Sequence, residues 1–83
     1  MSETASRARW REAVARAARQ TLVARWRSTL EALETARVEY SALRVAASID
    51  VRAVRKAAQR IHDLEQLRAV LARELRLAID AVS

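Results

Sequence analysis

The sequence has 83 residues, 16 Lys and Arg against 10 Asp and Glu for a net charge of +6, and no glycine, proline or cysteine. That length allows one small domain with a thin core. The composition excludes turn-rich sandwiches and barrels, disulfide frames, thiolate chemistry and sulfur metal sites, and no apolar run approaches the roughly 18–20 residues that span a bilayer.

Alanine, leucine, arginine and glutamate dominate, and these are strong helix formers. Hydrophobic residues make up 52% of the chain, too many for a disordered tail. An all-α fold is the expectation.

The first third is the basic part. Residues 1–27 carry Arg7, Arg9, Arg11, Arg16, Arg19, Arg25 and Arg27 against Glu3 and Glu12, a net of +5, which leaves +1 for the rest. Such a segment attracts anionic partners. These seven arginines are the candidate nucleic-acid contacts of an alternative reading, gripping a phosphate backbone. Glu3 and Glu12 count against a transit peptide, and the apolar h-region of a secretory signal is missing. The arginines are spread around the helix axis, which makes a poor membrane-surface helix.

"ARWR" occurs at Ala8–Arg11 and again at Ala24–Arg27. At about 100° per residue, the sixteen-residue spacing turns the two tryptophans about 160° apart, so they form no common platform. Trp10 belongs to an arginine-free face with Ala13, Val14, Ala17, Thr21 and Ala24. Residues 1–21 are expected to form a basic helical arm; the apolar direction shifts around Gln20–Leu22, so either the helix changes partner there or residues 3–19 form a separate short helix with Thr21 available as a cap.

From Leu22 onward the chain keeps a 4–3 heptad step: Leu22, Trp26, Thr29, Leu33, Ala36, Tyr40, Leu43 and on to Val82. Fifteen of these eighteen positions are apolar, against about nine expected by chance, which marks a helix–helix seam. Trp26 is expected to pack in it. The exceptions are Thr29, Asp50 and Arg68. Asp50 reads as an N-cap, with Ser48 a second candidate. The expected fold is an antiparallel two-helix hairpin over 22–83 with coiled-coil-like packing. Its helices run over about 22–47 and 51–82, with a turn at about 47–50. One unbroken rod of roughly 120 Å is the competing arrangement.

The second helix carries an extra apolar strip of Leu67, Val70, Leu77 and Ala81, wider than one partner helix covers. The hairpin is therefore expected to assemble into a helical bundle. The candidate partner-binding residues are Leu64, Leu67, Val70, Leu71, Leu75 and Leu77, with Trp10 and Val14 on the arm.

Chemistry is sparse. His62 and Glu65 in "HDLE" reverse the Glu-x-x-His order of helical dinuclear sites, so no metal ligand is assigned. No nucleophile–base–orienter set and no glycine-rich phosphate loop is present, so no catalytic residue, cofactor or small-molecule substrate is expected. The chain is expected to be non-enzymatic and cytoplasmic.

Leu43-Arg44, Val54-Arg55-Lys56 and Arg60-Ile61 make the middle of the chain resemble the turn and second helix of a small basic two-helix protein of the large ribosomal subunit. The resemblance covers about a quarter of the sequence; the connection here is shorter and an N-terminal extension is added. It implies an RNA-bound hairpin, of ribosomal or nucleoid type, as the alternative. The favoured expectation is a protein-interaction module, an adaptor, assembly subunit or chaperone-like hairpin that self-associates or clasps a partner helix.

Overall fold

The computed structural model describes residues 3–80. Two helices account for 92% of them and no strand occurs among them. Helix α1 spans Glu3–Arg44 and helix α2 spans Val51–Asp80. They pack against each other as an all-α hairpin. Ala81 of the expected strip and Val82 of the stripe lie outside the described residues, as do Met1 and Ser2 of the arm.

The 4–3 stripe is the seam. Every stripe position within α1 and α2 is buried or half-buried, whereas Ala47 and Asp50, in the connection, are exposed. Leu33 is 1% exposed and Leu71 3%, with Ala36 buried beside them. Trp26 is half-buried on the same line. Fully burying a leucine contributes about 1.5–3 kcal/mol, so this short list of residues carries most of the hairpin's stability.

The polar exceptions are accommodated by local geometry. Thr29 is 5% exposed, and its hydroxyl donates to the Arg25 carbonyl oxygen at 2.8 Å. That bond satisfies the hydroxyl within its own helix and leaves the methyl to the seam. Arg68 is half-buried, lying beside Leu30, Leu33 and Val38, where its aliphatic stem can cover apolar surface. Asp50 caps α2: its Oδ1 accepts from Ala53 N–H at 3.2 Å, and its carbonyl accepts from Val54 N–H at 3.0 Å. This is the N-cap geometry that the sequence pointed to.

Two boundaries differ from expectation. α1 stops at Arg44, three residues before the expected Ala47. The next stripe position after Leu43 is Ala47, whose small side chain would add little to the seam, and the chain must reverse. No residue of the connection takes a positive φ among the described residues, so the helix ends without a left-handed cap. Val45 N–H still reaches the Ser41 carbonyl at 3.2 Å, and the Arg44 guanidinium stacks over the Tyr40 ring at 5.7 Å. A cation in the last turn also suits the helix dipole.

The second difference is at Thr21. It caps nothing: its hydroxyl donates to the Ala17 carbonyl at 3.0 Å, in mid-helix. The basic arm and the first hairpin helix are one continuous element. The segment is rich in alanine and arginine and has no breaker, so propagating an existing helix costs little there.

The helices are unequal, and the register shows by how much. Arg37 Nη2 meets Glu65 Oε1 at 3.3 Å across the seam. Counting fifteen residues up α2 from Glu65 to Asp80, and fifteen down α1 from Arg37, places Asp80 opposite about Leu22 for equal helical rises. Residues 3–21 therefore overhang α2 by about 28 Å at 1.5 Å per residue. The molecule measures 71 × 16 × 16 Å, far short of the rod.

Leu71→Ala is expected to destabilise the hairpin by about 2–5 kcal/mol and Asp50→Ala by about 1 kcal/mol, with Asp50→Asn near neutral. Urea titrations followed by far-ultraviolet circular dichroism would check all three. The Arg37–Glu65 pair is about half exposed on both sides, so a double-mutant cycle should give a coupling below about 1 kcal/mol.

Candidate protein-interaction interface

The hairpin leaves apolar surface on both flanks of the seam. On one flank, Thr21, Ala24, Arg25, Ser28 and Thr29 of α1 form a groove with Leu67 and Leu71 of α2. On the α1 side the groove is lined by small side chains and by Arg25. The α2 wall carries Leu67, with Val70 and Leu77 exposed on the same helix, Leu77 by 62%.

The groove continues onto the overhang. On a straight helix, Trp10, Val14, Ala17, Thr21, Ala24 and Ser28 all fall within about 40° of one line. α1 is unbroken from Glu3 to Arg44, so that line runs from the overhang into the groove. Trp10 is 69% exposed and Val14 is also exposed. The two apolar strips that the sequence presents separately, one on the arm and one on α2, thus share one side of the molecule.

Antiparallel geometry explains the coincidence. In a heptad pair, the residues flanking the seam meet like with like, e with e and g with g. Arg37 and Glu65 are both e positions and pair on one flank; Arg25, Ala32 and Leu67 are g positions on the other. Applying that rule to the register of the stripe would have joined the two strips. Ser28, which lines the groove, was missed by the sequence reading; it is a c position, next to the g flank on the same side.

The structure divides the expected partner-binding residues into two groups. Leu64 and Leu75 are half-buried in the seam and Leu71 is buried there, although Leu64 and Leu71 each still line a groove beside Leu67. Leu67, Val70, Leu77, Trp10 and Val14 remain exposed and make up the open face. Further exposed apolar side chains lie elsewhere: Leu30 and Val38 beside Arg68, and Val45, Ile49 and Val51 at the hairpin tip, Val45 by 84%.

The arginines are placed by the same helix. Arg7, Arg9, Arg11, Arg16, Arg25 and Arg27 are exposed and Arg19 is half-buried. Arg7 lies about 60° from the apolar line, Arg9 and Arg11 about 100° from it on opposite sides, and Arg16 about 120° from it.

"HDLE" is split by its surroundings. His62 is exposed, Glu65 is turned to Arg37, and Asp63 Oδ1 accepts from Gln59 Nε2 at 2.9 Å. Among the described residues, no group of three or more His, Cys, Asp or Glu is placed to hold a metal ion, and no helix is long and apolar enough to cross a membrane.

The chain matches no protein-family model, no curated protein and no solved structure. The candidate interface therefore rests on its own geometry.

The two tryptophans make that geometry measurable. In dilute solution, the single Trp10 of a Trp26→Phe variant should be quenched by acrylamide more steeply than the single Trp26 of a Trp10→Phe variant, and should emit at longer wavelength.

Proposed function

We propose that this protein is a non-enzymatic interaction module, a helical hairpin whose open flank assembles with another helical surface. The observation that carries the reading is that exposed Trp10 and Val14 share one side of the molecule with the Thr21–Ser28 groove and with exposed Leu67, Val70 and Leu77. Exposed large apolar side chains gathered on one side and flanked by charge are a usual mark of a protein-binding face. With three buried apolar residues and twelve exposed large ones among the described residues, the chain gains much more from a partner than from its own fold. An adaptor, an assembly subunit and a small chaperone all fit this description at the level of fold.

The nucleic-acid alternative rests on the arginines of positions 7–27. Their spread around α1 gives no one-sided basic stripe, and Trp10 and Tyr40 lie on different faces, which leaves no aromatic stacking platform.

Pull-down of tagged protein from its native lysate at low salt, with and without nuclease, separates the two. Recovery of a protein in fixed ratio under both conditions is expected, with loss of about tenfold or more in a Leu67→Glu, Val70→Glu, Leu77→Glu variant that keeps its helix content. The recovered protein includes untagged copies of the same chain. Recovery that disappears with nuclease, or with Arg7, Arg9, Arg11 and Arg16 changed to Glu while the leucine variant still binds, overturns the proposal in favour of nucleic acid.

A further inference from the structure

We infer that the occupant of the groove is a second copy of this chain, docked antiparallel about a two-fold axis near Thr21–Ala24, so that each copy's overhang lies along the other's Leu67–Val70–Leu77 strip. This rests on the interaction reading above and adds the partner and the register.

The register follows from the face itself. Counting from the Arg37–Glu65 pair, Leu67 stands opposite about position 35 of α1, Val70 about 32 and Leu77 about 25. The apolar face therefore runs from position 10 to about 35, with its midpoint between 22 and 23. A two-fold axis there makes the face its own complement, as an isologous interface requires. Trp10 meets the second copy's Leu67 and Val14 meets its Val70. Leu77 falls between the second copy's Ala17 and Thr21, a large side chain set into small ones.

The number of helices in cross-section supports the same arrangement. Over the overhang, a single copy has one helix and no seam. In the pair, the overhang completes a three-helix cross-section with the other copy's α1 and α2, and three helices enclose a core that two cannot. The face is about 38 Å long at 1.5 Å per residue, so the two copies would share about seven helical turns of contact.

Charge favours it as well. The overhang, residues 3–21, carries five arginines against Glu3 and Glu12, a net of +3. The proposed axis lays that overhang along positions 24–42 of the second copy and the stretch 60–78 opposite them, where the g and c positions of the docking flank carry Glu39, Asp63 and Glu74 against Arg25 and Arg60, a net of −1. It sends Arg7, Arg9 and Arg11 to positions 38, 36 and 34 of the second copy. Arg7, one turn from Trp10, comes nearest to Glu39 and Asp63, which line the same flank. A head-to-head pair would instead set overhang against overhang, +3 on +3.

The lack of native cysteine permits a clean test on the full chain. Ala17 and Ser28 are exposed and become neighbours across the axis, while Ala17 of the two copies would be about 16 Å apart at 1.5 Å per residue, beyond disulfide reach. Sedimentation equilibrium at high micromolar concentration should give twice the 9.4 kDa chain mass. Under mild oxidation, Ala17→Cys mixed with Ser28→Cys should form a mixed disulfide about tenfold faster than either variant forms one with itself. A mass of one chain at every concentration overturns the inference and leaves the interaction reading to the pull-down. A dimer that links Ala17→Cys to itself is head-to-head, and a dimer that links neither pair uses another face; both overturn it.

Discussion

The seam between α1 and α2 is the constraint on which every other feature of this molecule depends. It is one side chain wide, closed by Leu33, Ala36 and Leu71 and by half-buried neighbours spaced four and three residues apart. A seam of that width aligns two helices and sets their register, but it cannot enclose a core. Its direction also decides which side chains are left outside. Because the pairing is antiparallel, the g-type flank of each helix meets the g-type flank of the other, and small residues of α1 come to lie beside large ones of α2.

Unequal helix length adds the second element. α2 covers α1 only as far as about Leu22, and the remaining turns of α1 persist through helix propensity without tertiary support. Those turns carry both the more exposed tryptophan and half of the net basic charge. The middle of the hairpin carries most of the acid. Apolar surface and charge thus vary along the long axis in a pattern that is satisfied by reversal, one molecule against another pointing the opposite way. The electrostatic part of such a match acts at long range and orients partners before contact, while burial of Trp10 and the leucines would set how long they stay together.

Much of this was legible in the residues alone, because heptad spacing is a one-dimensional record of a contact surface. Every stripe position from Leu22 to Ala78 that falls within the helices is buried or half-buried, and Asp50 announced the start of α2 through the chemistry of its carboxylate. The end of α1 was harder to place. No glycine marks it, and Val45, Ala46 and Ala47 are all compatible with helix, so only the need to reverse the chain fixes Arg44 as the last residue. Thr21 misled because a threonine hydroxyl bonds as well to a carbonyl one turn back as to an orphan N–H ahead. The open face was visible as two strips, but their union required both the hand of the pairing and the continuity of α1, and these belong to the folded hairpin.

That continuity has a mechanical side. A helix held along half its length and free along the other half is a lever with its fulcrum near Leu22. A tilt of about 10° at the seam would swing the far end of the 28 Å overhang by about 5 Å, given a straight helix. Displacement at Trp10 would be returned to Trp26, Thr29 and Leu33 in the same proportion, because no break in α1 is there to absorb it. Whatever grips the free end therefore also has a hold on the packing of the hairpin, and a loosened hairpin would misalign the free end.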